Sequence, residues 1–287
     1  MFTHSKSLLR TPSITHSSAS AKLLWLSDLH LNVQDLWPDG HDAFLHHLSE
    51  QAFDHLVITG DISTARYLQK ALLSISEAAG PRPVYFVLGN HDFYGSSFDA
   101  VDNAVARICR ARTNLHHLGS GEIIELTKDA ALIGHRGWAD GKAGYGRNTI
   151  TRAKDSKWIA EFKGESTEAV FSRMERLGEA SGDYFHEMVP KALRRYGHVM
   201  VATHVPPFVW AAHSKEKQGN RVCRKTELPF FTNVSAGARL KQSISAQPGK
   251  RLTVLCGHTH RANTYNETPA LCVRVAGGQW MESLKVA

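Results

Sequence analysis

The sequence predicts an α/β fold, and three observations carry that expectation. Short apolar runs each end in a sharp polar turn. Amphipathic helical patterns fill the intervals between them. The chain, at 287 residues, is long enough to bury a sizeable core as one domain. Strand, helix, strand, helix in this order implies parallel strands joined by crossover helices.

The first apolar run is Lys22–Ser27, ending at Asp28. The second is Leu56–Thr59, ending at Gly60-Asp61, and the third is Val84–Leu88, ending at Gly89-Asn90. Each reads as a buried strand. Between them Leu68, Ala71, Leu72 and Ile75 recur at helical spacing, and Phe98, Val101, Val105 and Ile108 keep to one face. Ile123–Leu126 and Ala130–Gly134, split by Lys128-Asp129, read as a hairpin. Val199–Thr203, Thr253–Cys256 and Leu271–Ala276 are further strands. Residues 138–197 are polar and helical, with Val170, Phe171, Met174 and Leu177 on one face, and are expected as an insertion in a single domain over 22–287.

Hydrophobic residues make up 42% and charged residues 21%, an ordinary globular balance. No apolar run reaches the length of a membrane-spanning helix, so no membrane partner is expected. Cys109, Cys223, Cys256 and Cys272 stand alone without a Cys-x-x-Cys pair, which fits reduced thiols and a cytoplasmic location. Residues 1–21 are rich in Ser and Thr and contain no acid, and are expected as a disordered tail. The formal net charge is +7. It concentrates in a segment expected as a basic loop over 212–251, with Lys215, Lys217, Arg221, Arg224, Lys225, Arg239, Lys241, Lys250 and Arg251 against Glu216 and Glu227. Such a segment either attracts a polyanion or serves as a solvated surface, and the second reading is slightly favoured.

Five polar turns follow the strands: Asp28-Leu29-His30, Gly60-Asp61, Gly89-Asn90-His91-Asp92, Thr203-His204 and Gly257-His258-Thr259-His260. In open α/β sheets, sites form beyond the carboxyl ends of the strands, so these turns can converge. Alternation along an extended chain would aim Asp28 and His30 to one side, and His258 and His260 likewise. Imidazole suits zinc, iron, nickel and manganese, and carboxylate suits harder ions. Seven candidate ligands are too many for one tetrahedral ion, and they suit two ions sharing a carboxylate about 3.5–4 Å apart.

With all five turns in this order, the sequence resembles the calcineurin-like metallophosphoesterase superfamily over about residues 22–276. The resemblance implies a four-layer α/β/β/α sandwich of two mixed sheets flanked by helices. It implies one metal held by Asp28, His30, Asp61 and His260, and a second held by Asp61, Asn90, His204 and His258, with Asp61 as the bridge. His91 would not be a ligand but a general acid for the leaving group. Two cations would lower the pKa of a bridging water to give a nucleophilic hydroxide near neutral pH. The metal pair would be drawn from Mn, Fe, Zn or Ni. Asp92 is expected to anchor its turn through backbone hydrogen bonds.

The family's protein phosphatases carry Gly-Asp-x-x-Asp-Arg-Gly, whereas this chain reads Gly60-Asp61-Ile62-Ser63-Thr64-Ala65-Arg66. The missing second Asp argues against that branch. The arrangement more resembles small bacterial phosphodiesterases and phosphomonoesterases, with His204-Val205-Pro206-Pro207 and Gly134-His135-Arg136-Gly137-Trp138 in keeping. The expected substrate is a small phosphoester, a nucleotide among the candidates, with diesters ahead of monoesters. A nuclease and a non-catalytic scaffold are the alternatives. Trp138, Tyr145, Trp158 and Phe162 are expected to pack the insertion onto the core rather than to stack on a base. Arg136 and Arg147 are open between phosphate contacts and surface positions. The pairs His46-His47 and His116-His117 are expected on the surface or in turns.

Overall fold

The computed structural model describes residues 19–33, 37, 39–151, 153–212 and 224–287. In chain order the elements are β1 (Ala21–Ser27), α1 (Gly40–Glu50), β2 (His55–Thr59), α2 (Ala65–Ala79), β3 (Val84–Val87), α3 (Phe98–Ala111) and β4 (Leu115–His117). There follow β5 (Ile124–Glu125), β6 (Ala130–Gly134), α4 (Asp155–Trp158), α5 (Thr167–Leu193), β7 (His198–Ala202), α6 (Val209–Ala212), α7 (Leu228–Phe231) and α8 (Val234–Ser245). The chain closes with β8 (Arg251–Cys256), β9 (Asn263–Thr268), β10 (Leu271–Val275) and β11 (Trp280–Val286).

The strands form two mixed sheets, of order β11-β1-β2-β3-β4 and β5-β6-β7-β8-β10-β9. β1 to β4 run parallel, and β11 closes that sheet antiparallel to β1 from Ala21↔Val286 to Ser27↔Trp280. In the second sheet β6, β7, β8 and β10 run parallel, with β5 and β9 antiparallel at the edges. The parallel strands therefore deliver all five polar turns at carboxyl ends.

Because side chains alternate across a strand, each sheet feeds two cores. Leu23, Trp25, Val57, Tyr85 and Val87 meet Leu132, Met200, Ala202 and Leu255 between the sheets. On the other side of the first sheet, Leu24, Leu26, Ile58 and Phe86 pack with Phe44 and Leu48 of α1, Leu72 of α2 and Val105 of α3. On the outer side of the second, Val199, Val201 and Val254 pack with Phe185, Val189 and Ala192 of α5 and Leu240 of α8. These are the four expected layers. Three helices, α3, α5 and α8, start where a side chain satisfies a free N–H: Ser97 accepts from Ala100, Ser166 from Ala169 and Asn233 from Ala236.

Residues 138–197 divide into two parts. The second half of α5 is the crossover from β6 to β7 and forms part of the outer helical layer. The stretch before it crosses to the first sheet, where Gly95 N–H donates to Trp158 O and Ala160 N–H donates to Ser96 O. Trp138 and Phe162 are buried against Phe93 and Phe98, whereas Tyr145 and Trp158 are exposed. Of the basic segment, residues 213–223 lie outside the described residues, as do 1–18 of the N-terminal tail; 224–251 carries α7, α8 and the first residue of β8. Cys109, Cys256 and Cys272 are free, and Cys223 lies outside the described residues. Among the described residues no helix is long and apolar enough to cross a membrane.

The exposed Tyr145 and Trp158 depart from the core packing expected of them, and so does one pair of histidines from its expected place. His116 and His117 are strand residues of β4, half-buried and stacked on Tyr85 and Phe86, not surface or turn residues. His46 and His47 are exposed on α1, as their helical offset requires.

Candidate metal centre

The five turns meet between the two sheets. Asp28, His30, Asp61 and His260 bring one ligand atom each into a common cluster, and Asp61, His204 and His258 form a second. Asp61 belongs to both. Its Oδ2 lies 3.7 Å from His30 Nε2 and its Oδ1 3.3 Å from His204 Nε2. Asn90 Oδ1 joins the second cluster at 3.2 Å from His204 Nε2, and His258 Nδ1 lies 3.2 Å from the same atom. In the first cluster His260 Nε2 stands 3.3 Å from Asp28 Oδ1. All seven candidate ligands are thus brought together.

The backbone achieves this in a way the strand pattern did not suggest. Asp28, His30, Asp61, His258 and His260 all hold positive φ, between 45° and 70°. Among the described non-glycine residues only Gln279 does the same, and its N–H donates to Asp28 O. Alternation along an extended chain therefore does not aim these side chains; left-handed turns beyond the strand ends do. Each such residue costs of order 1–3 kcal/mol and persists only where its surroundings over-determine it. Here the turns brace one another: Asp28 N–H donates to Gly60 O, His30 N–H to Asp61 O, and Gly257 N–H to His204 O. The carboxylates join in, since Asp28 Oδ1 accepts from His258 N–H at 2.9 Å and Asp61 Oδ1 from His91 N–H at 2.9 Å. Asp92 binds both Ser63 N–H and Gly89 N–H at 2.8 Å, the anchoring role expected of it. Gly60, at φ +91°, leaves no room for a side chain: a Cβ there would stand 2.6 Å from Gly89 N and 2.7 Å from His204 Nδ1.

The donor set fits cations. The Nδ1 of His204 faces Thr59 O at 2.8 Å and Nε2 of His258 faces Phe230 O at 2.8 Å. Each ring must donate a proton there, so neutral rings turn lone pairs inward at His204 Nε2 and His258 Nδ1. These lone pairs, Asn90 Oδ1 and Asp61 Oδ1 converge with no hydrogen between them unless a proton or a metal supplies positive charge.

The titration behaviour reflects the same crowding. Burial pulls His204 down, but the Asp61 carboxylate outweighs it and pushes the ring up to about 9. Burial likewise opposes His260, which the hydrogen-bonded Asp28 carboxylate raises. His30 and His258 are dominated by burial and fall to about 4, with the charge on His204 adding to the effect at His258. Asp28 and Asp61 resist burial and stay below the usual carboxylate range, held by His260 and His204 in the first case and by His204 and His91 in the second. In each cluster one imidazole is thus raised and its neighbour lowered around buried carboxylates.

His91 stands apart. Its Nε2 is 4.0 Å from Asp61 Oδ2 and its side chain is 31% exposed. Its ring stacks on Tyr94 at 4.2 Å and meets His30 edge-on at 4.7 Å. Tyr94 and Asp155, which no sequence pattern marked, also belong here: Asp155 Oδ1 accepts from Asn90 Nδ2 and from Tyr94 Oη. Arg136 and Arg147 are engaged elsewhere, Arg136 with Asp102 at 2.8 Å and Arg147 with Glu168 and Glu175.

Comparison with known proteins places this geometry in a family. The model of the calcineurin-like phosphoesterases matches residues 21–262. Among solved structures, a putative 5'-nucleotidase from Staphylococcus aureus superposes with a TM-score of 0.55 at 12% identity, over 94% of this chain and 51% of that one. The chain thus spans about half the length of that protein. A dimetal phosphatase from Danio rerio superposes with a TM-score of 0.53 at 12% identity, over 90% of this chain and 88% of the other. At such identity the likeness is one of fold. No curated protein matches the chain. The family match runs from β1 through the turn after β8 and takes in all five polar turns, and on that ground the chain belongs to the calcineurin-like phosphoesterases.

Proposed function

We propose that the chain hydrolyses small phosphoric esters, diesters in preference to monoesters, with two metal ions held by the converging turns. The observation that carries this reading is Asp61, whose two carboxylate oxygens face different clusters, His30 on one side and His204 on the other. Asp28, His30, Asp61 and His260 would hold one ion, and Asp61, Asn90, His204 and His258 the other. Both sets mix hard oxygen and borderline nitrogen donors, which suits Mn, Fe, Zn or Ni. When bound there, two such ions would supply an activated water and offset charge on the phosphate oxygens.

The chain's own groups do the rest. His91, partly exposed beside Asp61, would pass its proton to the departing alkoxide or aryloxide oxygen. Asp92 and the Asp28 carboxylate keep the turns in register, so the ligands need little rearrangement.

The diester preference rests on the cations nearby. A dianionic monoester calls for fixed cationic donors beyond the metals. Arg136 spends its guanidinium on Asp102 and on the faces of Phe93 and Phe98, and Arg147 on Glu168 and Glu175. A diester carries one charge less. The test compares kcat/KM for bis-nitrophenyl phosphate and nitrophenyl phosphate on one manganese-loaded sample. Diester turnover at least equal to monoester turnover is expected. A monoester preference above tenfold would overturn the diester reading and would favour activity like that named for the Staphylococcus aureus neighbour.

A further inference from the structure

Asn90 can present either its oxygen or its amino group to the second cluster, because a half-turn of its amide exchanges the two with little change of shape. The surroundings decide which. On the side away from His204, Asn90 Nδ2 lies 2.9 Å from Asp155 Oδ1 and 3.2 Å from Tyr94 Oη. Tyr94 Oη itself lies 2.7 Å from the same Asp155 oxygen. The carboxylate is acceptor-only when ionised, so it accepts a hydrogen bond from the Tyr94 hydroxyl, whose oxygen is then left as a second acceptor for Asn90. Both acceptors therefore demand the amino group, and Asn90 Oδ1 is left facing His204 Nε2.

Asp155 is 65 residues from Asn90 in sequence and opens α4. The segment around it is pinned to the turn it serves. Gly95 N–H donates to Trp158 O, Ser96 and Ile159 form a β-bridge, and Phe98 N–H donates to Glu161 Oε1 at 2.8 Å. Tyr94, held by the same carboxylate, carries the His91 ring on its face.

We propose that Asp155 is a positioning residue for the second metal position: it locks the Asn90 amide with its oxygen inward, and it does so directly and through Tyr94. This rests on the two-metal reading above. Without the carboxylate the amide is free to turn, and an inward amino group would repel a cation. An outer hydrogen-bond partner of a ligand typically changes metal affinity ten- to a hundredfold.

The experiment is calorimetric titration of the chelator-stripped full chain with Mn²⁺. Wild type is expected to bind two equivalents. Asp155→Ala is expected to weaken one equivalent ten- to a hundredfold and leave the other unchanged. Asp155→Asn, which keeps an acceptor oxygen and the side-chain volume, is expected to recover part of that affinity. Asn90→Ala should weaken the same equivalent, and the double variant should lose no more than Asn90→Ala alone, since both act through one contact. Additive losses, equal weakening of both equivalents, or two unchanged equivalents in Asp155→Ala would overturn the positioning role alone. Fewer than two equivalents in the wild type would overturn it together with the two-metal reading.

Discussion

The Nε2 atoms of His30 and His260 face each other at 3.0 Å across the join between the two sheets. Two neutral rings in that arrangement would oppose lone pair to lone pair unless one carried a hydrogen. The Asp28 carboxylate favours a proton on His260, while burial keeps His30 neutral. A metal ion would take the place of that proton, which makes the contact a site of exchange between acid and metal.

Exchange of this kind gives the first prediction, at the shared carboxylate. Asp61→Ala removes a ligand from both clusters and leaves two cations without a common anion. Loss of at least one metal equivalent and of phosphoesterase activity is expected. Elemental analysis that still found two full equivalents would rule out the bridge.

His91 should separate from the ligands by the opposite behaviour. His91→Ala is expected to keep its metal and lose about 10²–10⁴ in turnover, the usual share of general acid catalysis. The loss should shrink for a nitrophenyl ester, whose leaving group needs little protonation. Metal loss in this variant would make His91 a ligand and end its role as an acid.

The third prediction weighs close approach against conformational strain. Gly60→Ala places a methyl group against Gly89 N and His204 Nδ1, and a cost of at least about 3 kcal/mol is expected. Gly80, at φ +63° with nothing near its missing Cβ, provides the control. Gly80→Ala should cost only the strain of its positive-φ backbone, about 1–3 kcal/mol, and less than Gly60→Ala, where the same kind of strain adds to the clash. Urea midpoints compare the two, and equal costs would discard the argument from close approach.

Acid should loosen the fold through buried histidines outside the candidate ligand set. Burial drives His135 down to about 3, and His117 and His198 to about 4. His135 Nδ1 accepts from Gly137 N–H, a bond that protonation would break. The unfolded chain takes up these protons near pH 6.5 and the folded chain does not. Stability is therefore full above pH 6.5 and falls as the pH drops from there towards 3–4. His135→Asn keeps an acceptor for the N–H two residues on but cannot titrate. Between pH 7 and 5 it should lose about 2 kcal/mol less stability than wild type. Parallel melting profiles for the two chelated proteins would refute the assignment.

Much of the architecture was legible because buried strands announce themselves. β1, β2, β3, β6, β7, β8 and β10 are apolar runs, since a sheet covered on both faces needs apolar residues on both. β9, with the sequence NTYNET, and β11, with WMESLKV, lie at sheet edges and keep one face towards water. β4 is three residues long, two of them histidine. None of these carries an apolar run to read. In α1 only Phe44 and Leu48 are buried, too sparse a stripe to stand out.

The candidate ligands were legible because each sits beside a strand end and belongs to a metal-binding residue type. Strand alternation predicts a common aim for Asp28 and His30 and for His258 and His260, but left-handed turns supply it instead. Asp155 and Tyr94 left no local trace. Asp155 meets Asn90 only through the folding back of the segment after β6, and nothing in the residues around position 155 points to position 90.

The five left-handed candidate ligands carry a consequence for what the site can become. Asn, Asp and His are the non-glycine residues enriched in that backbone region, and they are also ligand types for divalent ions. At positions 28, 30, 61, 258 and 260 the backbone and the coordination chemistry therefore filter substitutions in the same direction. A valine or isoleucine would be rejected on both counts, whereas exchange of Asp for Asn keeps the turn and changes only charge. Variation that the fold tolerates there runs along the axis of charge, so the electrostatics of the centre can drift while its geometry is inherited.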